Sequence, residues 1–80
     1  MIDATTNKPL QVEGADTEWP FLDIAVSQID EVQRALDKHG VRYWVDEDYL
    51  SFNGGPEMTR VHLGRRKDGK AIQGILDSVP

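Results

Sequence analysis

Between Phe21 and Leu36 the apolar residues change their spacing once, and that change dictates a strand followed directly by a helix. Leu22, Ile24 and Val26 alternate with Phe21, Asp23 and Ala25, the period-two pattern of a strand with one buried face. Pro20 stands at the start, where a missing N–H costs least. From Ser27 the spacing lengthens. Ile29, Val32, Ala35 and Leu36 fall on one helical stripe, and Gln28, Glu31, Arg34 and Lys38 are expected to face water. Ser27 is placed to cap this helix through the N–H of Asp30, and Asp30 and Glu31 suit its positive end. Gly40 stops it, as the left-handed residue after the last turn, with Val41 folding back on Leu36.

Beyond the stop the short period returns. Val41, Tyr43 and Val45 share one face of a second strand, and Arg42 and Trp44 share the other. Asp46-Glu47-Asp48 reads as a turn. Tyr49 to Asn53 reads as a third strand with Leu50 and Phe52 facing inward, and Asn53-Gly54-Gly55-Pro56 as a second turn. In a fourth strand, Glu57 to Leu63, Thr59, Val61 and Leu63 oppose Met58, Arg60 and His62. After a basic loop, Gly64 to Lys67, Asp68 can cap a last helix from Gly69 to about Ser78, with Ile72, Ile75, Leu76 and Val79 as its stripe. Gly74 within it costs ~1 kcal/mol against alanine and suggests a close approach to the sheet.

The order β-α-β-β-β-α predicts an α+β fold, a two-layer α/β sandwich with a four-stranded mixed sheet and two helices on one face. The first crossover is expected to be right-handed between parallel strands, and the remaining strands antiparallel. The plan is partly ferredoxin-like but lacks a strand after the second helix. The expected core is Leu22, Ile24, Val26, Ile29, Val32, Leu36, Val41, Tyr43, Val45, Leu50, Phe52, Val61, Leu63, Ile72, Ile75 and Leu76.

Eighty residues hold one domain, placed here at residues 19–80. Residues 1–18 are polar and without sustained period, apart from an alternation at Leu10 and Val12; they predict a flexible arm and no signal peptide. With no cysteine, neither a disulfide nor a thiolate metal site is available, which fits a cytoplasmic setting. No apolar run approaches the ~20 residues that span a bilayer. The net charge of −5 opposes general binding to nucleic-acid phosphate. Residues 60–80 reverse the sign through Arg60, Arg65, Arg66, Lys67 and Lys70.

The stretch His39-Gly40-Val41-Arg42-Tyr43-Trp44-Val45-Asp46-Glu47, followed by Asn53-Gly54-Gly55-Pro56-Glu57, resembles small uncharacterised bacterial α+β proteins of about this length. The resemblance spans roughly Phe21 to Ser78 and implies a fold but no activity.

No set of side chains announces catalysis. His39 and His62 lack metal-ligand spacing, and Asp46-Glu47-Asp48 lacks the alternating oxygen ligands and glycine of a calcium loop. No nucleophile-base-acid set, metalloprotease motif or dinucleotide fingerprint is present, so neither an enzyme nor a cofactor is expected. Gly64 to Gly69 leads into a helix N-terminus, where Arg65, Arg66, Lys67, Gly69 and Lys70 could receive an anion, although Asp68 competes for the same N–H groups. The outer face of the sheet is expected to carry Phe21, Arg42, Trp44, Tyr49, Met58, Arg60 and His62. Aromatics beside arginine are typical of interface centres. The leading expectation is therefore a small non-enzymatic interaction module, docking a protein partner or a second copy through that face. A regulatory domain holding an anionic ligand at residues 64–69 and a binder of single-stranded RNA on the open sheet are the alternatives. The residues of the arm, Leu10, Val12 and Trp19, are a third possible cover for the face.

Overall fold

The computed structural model describes every residue except Phe52, Arg66, Lys67 and Pro80. The elements follow the predicted order: β1 (Phe21–Ala25), α1 (Ile29–Lys38), β2 (Trp44–Val45), β3 (Leu50–Ser51), β4 (Glu57–His62) and α2 (Gly69–Asp77). The architecture is α+β, with both helices packed on one face of the sheet. Leu22 and Ile24 of β1 and Val61 of β4 meet Val32 and Leu36 of α1 and Ile72 and Leu76 of α2 in one buried cluster.

The sheet corrects the expected mixed pairing. Every strand pair described is antiparallel, and β4 takes part in all of them, against β1 on one side and against β2 and β3 on the other. β1 and β2 therefore do run parallel, as the crossover requires, but β4 lies between them. β2 and β3 are two halves of one interrupted strand. Val45 faces Val61 and Leu50 faces Met58, so five steps along one chain match three along β4 and two residues loop out. An even insertion preserves the alternation begun at Trp44, which puts Leu50 on Trp44's face. Leu50 is accordingly 60% exposed rather than part of the core. The sequence pattern suggested a new phase after Asp48 because the acidic triplet resembled a turn. Phe52, expected inside, lies outside the described residues.

The first eighteen residues belong to the fold more closely than a flexible arm would. Met1 and Leu10 are core residues, 4% and 1% exposed, and Val12 packs against them. A small hairpin joins them: the Leu10 N–H donates to Met1 C=O at 2.9 Å, and Asn7 turns with φ +58°. Two glutamines fasten this segment by offering an amide to its backbone. Gln28 accepts from the Ala4 N–H at 2.9 Å and donates to Ile2 C=O at 2.7 Å. Gln73 accepts from the Val12 N–H at 2.7 Å and donates to Leu10 C=O at 2.9 Å. Gln28, expected in water, is thus buried, and its polar atoms are paired as burial demands. Further on, Glu13 and Phe21 exchange two backbone bonds at the first residue of β1, on the edge away from β4.

The helix ends show which local signals held. Val41 N–H reaches Leu36 C=O at 3.0 Å, Gly40 N–H reaches Asp37 C=O at 3.1 Å, and Gly40 has φ +68°, the predicted ending. Ser27 makes no cap; the chain passes through a single 3₁₀ turn, Val26–Gln28, into α1 without a side-chain cap bond. Asp68 does cap α2, accepting from the N–H groups of Lys70 and Ala71. The glycine of close approach is Gly69, not Gly74: a Cβ on Gly69 would sit 2.8 Å from Ala15, whereas one on Gly74 meets nothing within 4 Å. Tyr43 donates to Asp37 at 2.9 Å, and burial, aided by that bond, raises its phenol above the ordinary range.

Leu10→Ala should lose ~2–5 kcal/mol in urea unfolding, the cost of emptying a fully buried leucine site; a loss within experimental error would mean that residues 1–18 do not belong to the core. The two helix glycines should respond with opposite signs. Gly74→Ala gains up to ~1 kcal/mol, since its backbone is helical and its surroundings are open, whereas Gly40→Ala loses on the order of 1 kcal/mol because its φ is positive.

Candidate functional site: the outer face of the sheet

The antiparallel registers place the outward side chains of three strands in rows. Phe21 pairs with His62, and His62 with Trp44 on its other side. Asp23 pairs with Arg60, whose C=O receives the Asp46 N–H at 2.9 Å. Ala25 pairs with Met58, and Met58 with Leu50. The middle row is charged, and the outer two are aromatic and aliphatic.

Because β1 and β2 run the same way, each presents an aromatic and, two residues later, an aspartate: Phe21 with Asp23, and Trp44 with Asp46. β4, between them, supplies one nitrogen base to each pair. The Arg60 guanidinium lies 3.9 Å from the centre of the Phe21 ring and grips Asp23 with two bonds, Nε at 2.8 Å and Nη2 at 3.2 Å. The His62 ring stacks on Trp44, centroids 5.1 Å apart and planes 14° apart, and its Nε2 lies 2.8 Å from Asp46 Oδ1. The bond to Asp23, reinforced by the charges of Asp23 and Asp46, holds Arg60 above its ordinary pKa, so it stays cationic at any working pH. The Arg60–Asp23 ion pair is about half exposed, so it contributes only ~0.2–1 kcal/mol.

Beside this network lies a groove of about 490 Å³. Leu50 and Met58 give it an apolar side, Asp23, Asp46 and Asp48 an acidic rim, and Thr59, Arg60 and His62 the rest of its polar lining. Trp44 and Tyr49 are 51% and 47% exposed next to it in sequence.

Of the residues nominated for this face, Phe21, Trp44, Met58, Arg60 and His62 come together as the registers require. Arg42 and Tyr49 are exposed but lie outside the paired stretches, Arg42 before β2 and Tyr49 within the looped-out segment. Asp23, Asp46 and Leu50 were not nominated. The alternation already puts Asp23 on the outer side, and the second strand is expected to run from Arg42 to Asp46, but the acidic triplet Asp46-Glu47-Asp48 reads as a turn rather than as part of the face. The residues nominated for an anion do not assemble into an open cradle among the described residues. The Asp68 carboxylate takes the N–H groups of Lys70 and Ala71, Gly69 is buried against Ala15, and Arg65 pairs with Glu18 at 3.4 Å. Arg66 and Lys67 lie outside the described residues. His39 sits at the end of α1, and among the described residues no group of three His, Cys, Asp or Glu side chains could hold a metal. Nor is any described helix long and apolar enough to cross a membrane.

No protein family, curated protein or solved structure matches the chain.

Trp44 stays half exposed, while residues 1–18 are fastened to Gln28, to α2 and to the Phe21 end of β1. Trp44→Ala should therefore cost only ~0.5–1.5 kcal/mol, the range of a stacked aromatic pair. A loss of the size expected for Leu10→Ala would show that part of the chain covers the face.

Proposed function

We propose that the chain is a small non-enzymatic interaction module that docks another protein through the outer face of its sheet. One observation carries this reading: Trp44 and Leu50 remain 51% and 60% exposed on a face whose cation, Arg60, is already paired with Asp23. That pair allows Arg60 to be covered without stranding its charge. Exposed aromatic and aliphatic side chains around paired polar groups suit the centre of an interface, where a few such residues dominate the energy. Beside it, β2 and β3 form the open edge of the sheet, available to lengthen the contact.

Charge favours a foreign partner over a second copy, since two chains of net −5 repel and the groove itself is acidic. The same acidity opposes RNA on this sheet. The Asp68 cap opposes an anion at residues 64–69, because the N–H groups it would need are engaged. A cytoplasmic setting belongs to the proposal through the absence of cysteine.

A photo-crosslinking residue placed at Tyr49, and in a second protein at Lys38 on α1, tests the reading in the cell that makes the chain. A discrete adduct from position 49 but not from position 38 is expected. Its mass distinguishes a second copy from a different protein. Equal adducts from both positions, or none from position 49, would contradict an outer-face interface.

A further inference from the structure

We propose that the groove on the outer face accepts a basic side chain, an arginine or lysine with an apolar neighbour, from an extended segment of a partner protein. The inference rests on the docking role proposed above and names its ligand.

The face already shows how it holds such a group. On the β1 side an aromatic ring and an aspartate two residues on hold the Arg60 guanidinium, one by its face and the other by two bonds. On the β2 side the same elements recur as Trp44 and Asp46, but there they hold an imidazole. His62 uses Oδ1 of Asp46, and no hydrogen bond to Oδ2 is found among the described residues. Asp48 lines the same groove and has no ion pair among the described residues. The β2 side thus has more carboxylate than its own base uses. Counting Asp23, Asp46 and Asp48 against Arg60, the lining carries a net −2 with His62 neutral.

The remaining lining fits the rest of such a side chain. Leu50 and Met58 offer apolar surface to the methylene stem of a lysine or arginine, which buries its stem while its charge reaches a polar rim. A groove of about 490 Å³ is ample for one side chain and part of its neighbour. An acidic peptide would meet three carboxylates and a single cation already gripped by Asp23, so the charge complementarity runs one way. Arginine has the advantage over lysine, since its fork can bond Asp46 Oδ2 and Asp48 together.

The test uses the full chain and an acetylated, amidated peptide in which arginine alternates with leucine. A second peptide replaces each arginine with citrulline, which keeps the shape and removes the charge. The expected result is that the arginine peptide shifts backbone amide NMR signals from Asp46 to Leu50 and from Met58 to His62. The citrulline peptide should bind at least tenfold more weakly. Asp48→Asn should weaken the arginine peptide several-fold, while Glu31→Gln on α1, which changes the net charge equally, should leave it unchanged. Asp48 is exposed, so its replacement leaves folding intact. Equal binding of both peptides, equal effects of Asp48→Asn and Glu31→Gln, or no shift at millimolar peptide would each overturn the proposal. If the basic peptide fails while crosslinks still form at position 49, the face docks a partner of other chemistry; if both fail, the docking role falls too.

Discussion

β4 is hydrogen-bonded on both sides, to β1 and to the interrupted strand β2–β3, and both layers of the molecule depend on that placement. A chain that runs from β1 through α1 to β2 returns in the same direction. Had β1 and β2 paired directly, their aromatics would have stood side by side with no base between the aspartates. Separating them by one antiparallel strand opens a slot one strand wide. The strand that fills it puts Val61 under the helices and turns Arg60 and His62 outward. The core and the candidate interface are the two faces of one insertion.

The segment before β1 completes the inner side. A domain of this size buries little apolar surface for each residue it orders, and nothing covalent links its parts. Met1 and Leu10 enlarge the core, and Gln28 and Gln73 settle the hydrogen bonds that their backbone would otherwise lose. The side-chain amide is suited to this work, with a donor and an acceptor in the same spacing as a peptide group. Because these residues are used inside, they cannot also shield Trp44, and the exposure of the outer face follows from the way the inner face is filled.

Much of this was legible in the residue order. The period of two from Phe21, the stripe from Ile29 to Leu36, the stop at Gly40 and the Asp68 cap are local patterns, and the structure contains each of them. Alternation within single strands also placed Phe21, Trp44, Arg60 and His62 on one face. What escaped was set by contacts far apart in sequence. Residues 1–18 have no period because their burial comes at single points, Met1 and Leu10, rather than along a stripe. Gln28 looked like a surface residue of α1 because its partners, Ile2 and Ala4, are remote. Leu50 was assigned inward because a two-residue bulge that keeps strand phase looks, residue by residue, like a turn that resets it. The aspartates of the outer face have meaning only beside the bases that β4 brings to them.

The placement of β4 is open to direct observation by backbone NMR. Cross-strand nuclear Overhauser effects should connect the backbone protons of Val61 to Leu22 on one side and to Val45 on the other, with the companion pairs Asp23 to Arg60 and Trp44 to His62. Direct backbone contacts between β1 and β2, as in an adjacent parallel pair, would contradict the arrangement and remove the outer face from which the function is argued.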